Sequence, residues 1–225
     1  MSESSSFKKT NLFIRENEKT RPSLDVSRTV ARGIFTDRNH PWAAIPHLSN
    51  YIKTHGNELS HDEYDEIAEN VWVHISAYLA PTAKIEAPAI ICGGAKISHL
   101  SYVANSVIGS FATVGEMTSV KHSIMFDKSK LCGHNQLSSS VLGYGAVLGI
   151  GSMAPDTRLD FASIAYDMPE EICLSGRTHL GAVICDDVKI GASCVINPGT
   201  VIDIGCTVYP LTSVSGYVYP YTTVR

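Results

Sequence analysis

From residue 71 onward, large aliphatic residues recur along the chain at intervals of six. The first run comprises Val73, Leu79, Ile85, Ile91, Ile97 and Val103, and the second comprises Ile184, Ile190, Ile196, Ile202, Val208 and Val214. A small residue, such as Ala77, Ala95 or Cys194, stands two places before most of these positions. This spacing matches neither the 3.6-residue period of a helix nor the two-residue alternation of a strand. The pattern predicts a parallel β-helix whose coils have three short sides, each pointing one aliphatic residue inward.

Between the two runs the repeat becomes 17 residues long, because 105–121, 122–138 and 139–155 superpose without gaps. Ile108, Met125 and Leu142 then share one column, and Val114, Leu131 and Leu148 share another. Coils of a parallel β-helix stack about 4.8 Å apart, so each aliphatic column predicts a continuous core.

The first 70 residues lack this repeat. Residues 1–20 are polar and Ser-rich, and we expect them to be disordered. Apolar positions at helical spacing in 24–35 and 46–59, and the acidic residues that follow Ser60, predict short helices. We therefore expect residues 1–70 to hold a tail and a small α-helical cap that covers the open end of the first coil.

Residues 71–225 are predicted to form the β-helix with one interruption. The segments 161–167 and 172–176 are apolar and flank a turn-like stretch, Met168–Glu171, which predicts a two-stranded arm protruding at about 156–181. Such an excursion usually carries function or contacts a neighbouring subunit.

Composition excludes several classes of partner. A net charge of -4 provides no basic surface, so we expect neither nucleic acid nor a membrane as a partner. No signal peptide and no apolar run of membrane-spanning length is evident, and we expect a soluble, cytoplasmic protein. The six cysteines form no C-x-x-C pair, so neither a zinc ribbon nor a disulfide framework is expected.

Several segments in order carry a resemblance to a known family. They are "HPWAAIPHLSNYIKTHG", "VWVHISAYLAPTAKIEAPAIICGGAKISH", "IMFDKSKL", "SGRTHLGAVICDDVKIGASCVINPGTVI" and "VYPLTSVSGYVYP". Over about residues 24–225 the chain resembles left-handed β-helix proteins related to UDP-N-acetylglucosamine pyrophosphorylase. They are similar to the acetyltransferase half of the bifunctional glucosamine-1-phosphate acetyltransferase/uridyltransferase. The glycine-rich loop and lysine of sugar nucleotidyltransferases are not found, so pyrophosphorylase activity is not expected.

The resemblance implies an all-β, left-handed parallel β-helix that forms a homotrimer with sites between subunits. Acetyl-CoA would lie in the inter-subunit cleft, and an amino-sugar phosphate or sugar nucleotide would bind across it. A histidine base would deprotonate the amine, which then attacks the thioester carbonyl, while a backbone N–H holds the oxyanion.

The chain departs from the family at the base itself. The gapless alignment puts Gly133 at the position of the family's catalytic histidine, and His134 comes one residue later. Gln136 replaces a tyrosine, and Ser138–Ser139 replace a Gly-Asp pair. A one-residue shift can turn a side chain to the opposite face, although Gly133 is permissive enough for a local rearrangement. His134 is therefore either the catalytic base or a residue at a corner of the scaffold.

The resemblance also implies binding residues. The cofactor-binding backbone corresponds to Gly149, Gly151 and Ser152, and the substrate-binding positions are Lys130, Asn135, Asp156 and Arg158. Lys130 matches a lysine that contacts substrate phosphate, but it can equally be a solvated charge. Asp156 replaces an asparagine and is an awkward neighbour for an anionic ligand.

Other readings concern the remaining histidines. Some hexapeptide proteins are metal-dependent carbonic anhydrases, but His99 and His134 would lie about 10 Å apart along the axis, and His122 follows another side. No metal is expected from them. His99, followed by Tyr102, superficially resembles the histidine motif of the acetyltransferase. The family comparison places His99 in an earlier coil, so a structural or hydrogen-bonding role is expected for it. Two classes remain: an acetyl-CoA-dependent acyltransferase, and a non-catalytic trimer that binds a sugar ligand or serves as a scaffold for a separate nucleotidyltransferase.

Overall fold

Three columns of short parallel strands surround one apolar interior in the computed structural model, which describes residues 22–36 and 40–225. The tail expected over residues 1–20 lies outside the described residues. Face 1 comprises Val71–His74, the second halves of Lys84–Ile91 and Tyr102–Ile108, Ile124–Met125, Val141–Leu142, Val183–Ile184, Val201–Ile202 and Tyr217–Val218. Face 2 comprises Tyr78–Leu79, Lys96–Ile97, Thr113–Val114, Lys130–Leu131, Val147–Leu148, Lys189–Ile190, Thr207–Val208 and Thr223–Val224. Face 3 comprises the first halves of the two long strands, Ser119–Lys121, Gln136–Ser138, Met153–Ala154, Val195–Ile196 and Ser213–Val214.

The predicted repeat defines the interior. Both six-residue runs pack in one apolar cluster, with only Leu79 and Ile85, in the first coil, partly buried. The 17-residue columns are also in register, since Met125 pairs with Ile108 and Leu131 pairs with Val114. The all-β, left-handed parallel β-helix predicted from the sequence is thus confirmed.

Face 1 differs from the other two faces because its outer side is also buried. Its outward residues are apolar and almost fully covered: Trp72, Ile90, Val107, Ile124, Val141, Val183 and Val201. Fully burying an aliphatic side chain of this size contributes about 1.5–3 kcal/mol, so this face needs a cover.

Residues 22–36 and 40–56, here called the strap, supply part of that cover. The strap contains the 3-10 helices Val26–Arg28, Val30–Phe35 and Pro41–His47 and the α-helix Leu48–Gly56. It begins beside Asp203, whose Oδ1 accepts from the Ser23 N–H at 3.0 Å, and ends where Gly56 meets the Trp72 ring of the first coil. The cap therefore lies along the side of the solenoid rather than over its open end, because the outer side of face 1 is the apolar surface that needs covering.

The first coil is closed by a strand instead of a helix. Tyr64–Ala68 pairs antiparallel with Val71–His74, so the helix start expected after Ser60 is wrong. An edge strand presents unpaired N–H and C=O groups, and the added strand pairs them.

Residues 156–181, here called the arm, contain the predicted pair of strands, Ala165–Asp167 and Ile172–Leu174, which pair antiparallel. The arm folds back onto the outside of face 1. Tyr166 is fully buried there, and its ring stacks on Trp42 of the strap at 3.9 Å between centroids.

Candidate functional site

The turn from face 2 to face 3, here called corner A, is the part of the scaffold to which the sequence assigns its chemistry. Six successive coils place a left-handed residue at this turn: Leu100, Met117, His134, Gly151, Ser193 and Leu211, with φ between 51° and 73°. Such a residue lets the chain reverse sharply, and glycine adopts this conformation most readily.

His134 occupies this left-handed position and is exposed. Its N–H donates to the Glu116 carbonyl oxygen at 2.8 Å, just as the Met117 N–H donates to the His99 carbonyl oxygen at 3.1 Å one coil earlier. The ladder therefore continues without a slip through this coil. His134 is a corner residue in the unshifted register.

Gly133 lies next to Glu116 of the preceding coil. Its carbonyl oxygen accepts a hydrogen bond from the Gly151 N–H at 3.0 Å. Its φ is +133°, which a residue with a side chain rarely adopts. Where the resemblance expects the catalytic imidazole, the backbone is thus shaped for glycine.

Asn135 faces inward and holds the corner together. Its Oδ1 accepts from the Gly133 N–H at 2.8 Å, and its Nδ2 donates to the carbonyl oxygens of Gly149 at 2.7 Å and Ser152 at 3.0 Å. The residue is 3% exposed, and these three hydrogen bonds engage its amide within the scaffold.

The predicted cofactor segment lies in the next coil of the same corner. Gly149 packs against the backbone of Gly191, where a Cβ would come within 2.5 Å of a backbone atom. The Ser152 hydroxyl donates to the Gly191 carbonyl oxygen at 2.7 Å. Between these residues the Ile150 side chain is 53% exposed, so the segment presents an apolar surface flanked by glycines.

Lys130 lies on the outer side of face 2 in the coil of His134 and is exposed. Val147 pairs with it in the next coil and with Lys189 in the coil after that. Two lysines therefore flank the glycine-rich corner on its face 2 side.

The structure separates Asp156 and Arg158 from this corner. Both lie beyond the far edge of face 3, where the arm begins, at the turn to face 1 that we call corner B. Asp156 accepts from the Ser139 hydroxyl at 2.7 Å. Arg158 donates to Asp160 through two nitrogens at 2.9 and 2.7 Å, and these bonds hold the pKa of the Asp160 carboxyl well below its usual range.

Two cavities flank the start of the arm. One of about 880 Å³ is lined by Arg158, Asp160, Asp167 and Asn197, among others. The other, of about 370 Å³, includes Asn105, His122, Ser139, Asp156, Arg177 and His179. Sequence reasoning did not group the residues of the second cavity because the strap, the arm and three successive coils supply them.

The outer edge of corner A exposes an apolar stripe: Leu100, Met117, Ile150, Met153 and Leu211, each 45–82% exposed. His99 stands at the same corner, exposed, with Nδ1 2.9 Å from the Thr82 hydroxyl. Within residues 22–36 and 40–225, no helix has the length and apolarity needed to cross a bilayer.

No protein-family model matches the chain. It is 26% identical over 170 residues to the bifunctional protein GlmU of Methanococcus maripaludis, a match covering 74% of this chain and 41% of that protein. It is 28% identical over 97 residues to the bifunctional sugar-1-phosphate nucleotidylyltransferase/acetyltransferase of Sulfurisphaera tokodaii, covering 43% of this chain and 24% of that protein. The chain thus spans about two fifths of the length of the GlmU relative.

Among solved structures, a mutant of AntD, an N-acyltransferase from Bacillus cereus, was determined with dTDP-4-amino-4,6-dideoxyglucose and Coenzyme A. It matches with a TM-score of 0.40 and 17% identity, covering 76% of this chain and 85% of that chain. The repeat, the observed fold and the sequence relatives agree on the class. The chain is a hexapeptide-repeat, left-handed β-helix protein similar to GlmU-type bifunctional proteins.

Proposed function

We propose that this chain is a sugar-nucleotide-pathway acyltransferase-like protein that binds acetyl-CoA and an amino-sugar phosphate beside corner A, and that N-acetyl transfer in it is slow. The unshifted ladder at this corner carries the proposal, because it leaves Gly133 where the base is expected. In this proposal the backbone of the corner is kept, and the imidazole of His134 stands one residue after the position at which the base is expected.

The reaction explains why that displacement matters. The amine nitrogen forms a bond to the acetyl carbonyl carbon, the carbon–sulfur bond breaks, and the CoA sulfur leaves with a proton. A positioned general base typically contributes about 10²–10⁴-fold to such a step. We therefore expect this chain to turn over more slowly than a relative with the base in place, by a factor within that range.

The glycine-rich segment supports acetyl-CoA as the cofactor. The exposed Ile150 side chain offers an apolar contact for the acyl–pantetheine portion, and Lys189 offers positive charge to its phosphates. Two of the similar proteins have acetyltransferase or N-acyltransferase in their names.

A homotrimer is part of the proposal. A group of exposed apolar side chains commonly marks an interaction surface, and the stripe at corner A is such a group, interrupted by His134 and Ser193. A trimer would bury the stripe and place a neighbouring chain beside the cofactor segment. Light scattering is expected to give a trimer, and a monodisperse monomer would contradict this part of the proposal.

An acetyl-transfer assay on a panel of amino-sugar phosphates, read by mass of the product, tests the activity. We expect slow N-acetylation that His134→Ala changes less than about tenfold, since the ring is not positioned as the base. Rapid turnover that His134→Ala abolishes would show that the exposed imidazole is the base after all.

A non-catalytic scaffold is the second candidate. Two of the expected substrate-binding residues favour it, because they are paired within the chain at corner B. Asp156 accepts a hydrogen bond from Ser139, and Arg158 donates to Asp160. Acetyl-CoA binding separates the two candidates, since a scaffold for a nucleotidyltransferase has no need of the cofactor.

A further inference from the structure

The arm and the strap meet around three side chains whose chemistry suits a transition-metal ion. His40 belongs to the strap, and Glu171 and Cys173 belong to the arm. One ligand atom from each lies within 4.8 Å of the other two. The Cys173 Sγ is 3.7 Å from His40 Nε2 and 3.7 Å from a Glu171 carboxylate oxygen.

These separations agree with tetrahedral zinc. Bonds of about 2.3 Å to sulfur and about 2.0–2.1 Å to nitrogen or oxygen place the sulfur about 3.6 Å from either partner ligand. Each observed distance is 3.7 Å, so both contacts to the sulfur fit without a backbone movement.

The three ligands are held by the packing of their neighbours. The His40 ring stacks on Trp42 at 4.4 Å between centroids, and Trp42 stacks in turn on the buried ring of Tyr166. Cys173 is the direct cross-strand partner of Tyr166 in the arm. The imidazole and the thiol are therefore fixed relative to each other through one aromatic stack, which lowers the ordering cost of binding.

A cavity of about 290 Å³ adjoins the cluster and is lined by His40, Met168, Glu170 and Glu171. It leaves space for a fourth ligand, which would be a water molecule or the neighbouring carboxylate of Glu170. Four protein ligands are typical of structural zinc sites, so Glu170 as the fourth ligand would complete such a site, whereas a bound water would leave the open position that catalytic zinc sites have.

We propose that His40, Glu171 and Cys173 bind Zn²⁺ and thereby fasten the arm to the strap. Binding replaces the proton of the Cys173 thiol with the metal and releases that proton to solvent. Ala165 and Asp167 of the arm line the cavity of about 880 Å³ near corner B, so the metal would stabilise one wall of that cavity. The sequence expectation of no metal considered His99, His122 and His134 and the absence of a C-x-x-C pair. It missed this cluster because His40 and Cys173 are 133 residues apart.

The test uses the full-length, reduced, tag-free chain. Calorimetry against a competing chelator is expected to give one Zn²⁺ per chain, and Co²⁺ in its place is expected to show a thiolate charge-transfer band. Cys173→Ser should abolish the band, and His40→Phe, which keeps a ring for the stack on Trp42, should weaken Zn²⁺ binding by more than about tenfold. At one fixed Zn²⁺ concentration, the metal should raise the unfolding temperature of the wild type more than that of either variant.

Two matched controls separate this site from adventitious binding. Cys132→Ser removes an exposed thiol elsewhere, and His55→Ala removes a histidine that pairs with Glu58 at 3.2 Å. Both should bind Zn²⁺ and Co²⁺ like the wild type. Absence of Zn²⁺ and Co²⁺ binding by the wild type, or wild-type affinity in Cys173→Ser and His40→Phe, would overturn the proposal.

Discussion

The N–H of His134 donates to the carbonyl oxygen of Glu116 at 2.8 Å, and this bond places the imidazole at the left-handed corner of its coil. Neighbouring coils repeat the bond at the same turn, so no local slip returns the ring to the position where the resemblance expects the base. The corner keeps an unbroken ladder, and its histidine stands one residue after the position, Gly133, at which the resemblance expects the base.

His134 contributes little to stability because it is an exposed residue with φ +51°. Glycine adopts that conformation freely, so we expect His134→Gly to change the free energy of unfolding by less than about 1 kcal/mol. The fully buried Leu137 in the same coil is the comparison, since Leu137→Ala should cost about 2–5 kcal/mol. Urea unfolding at one fixed protein concentration measures both, and a larger loss for the glycine variant would contradict a corner role.

Asn135→Ala is expected to lower the free energy of unfolding by about 2–4 kcal/mol, because it leaves buried carbonyl oxygens at Gly149 and Ser152 without their donor. Gln136→Ala, at the neighbouring exposed position, should stay within about 0.5 kcal/mol of wild type. If the two variants unfold alike, the amide of Asn135 does not hold the corner.

Asp186 is expected to make the free energy of unfolding depend on pH, and the direction follows from its raised pKa. Burial raises the pKa of its carboxyl to about 6, although the Asp25 and Tyr144 N–H groups donate to it. The folded state therefore binds the proton more tightly than the unfolded chain, whose Asp pKa is about 3.9. The contribution to stability is greatest at low pH, falls as pH rises between these two values and is constant above them.

Asp186→Asn removes the titrating group and should flatten this part of the profile. Unfolding free energies of the wild type and of the variant, measured below and above the window, give the difference in slope directly. An unchanged slope in the variant would assign the pH dependence to other carboxyl groups.

Lys130 is expected to bind the phosphate of the sugar. Lys130→Ala should weaken binding of an amino-sugar phosphate by about tenfold, the loss of one charge-assisted hydrogen bond. Lys189→Ala removes the same kind of charge from the same outer column two coils away and should weaken sugar-phosphate binding less. Calorimetry with the sugar phosphate alone compares the two, and equal effects would mean that the column acts only as a diffuse positive surface.

The interior of the solenoid could be predicted because one residue in six is large and aliphatic. The sequence also contains a pattern that indicates the covered outer side of face 1. Residues just before its core positions are apolar, such as Trp72, Ile90 and Val183, whereas the corresponding residues of face 2 include Lys96 and Lys130. A short strand with apolar residues on both its inner and its outer face is typical of a strand that is buried on both faces. The pattern therefore predicts that other parts of the chain cover face 1, as the strap and the arm do.

The candidate site was only partly predictable. His134, Asn135 and Gly149–Ser152 were expected together, and the structure places them at one corner. Which way Asn135 points depends on hydrogen bonds to the next coil, which sequence spacing does not show. Corner B draws side chains from the arm and from several coils, so no local motif reports its two cavities.

Calorimetry with acetyl-CoA and CoA tests most directly whether corner A binds the cofactor. We expect saturable binding by the wild type and by His134→Ala. Ile150→Glu should weaken it more than about tenfold, because a carboxylate would meet an anionic ligand, while Ile67→Glu, at a similarly exposed position on the strand Tyr64–Ala68 away from corner A, should leave it largely unchanged. Absence of binding at millimolar cofactor would contradict the acyltransferase-like account and favour the scaffold.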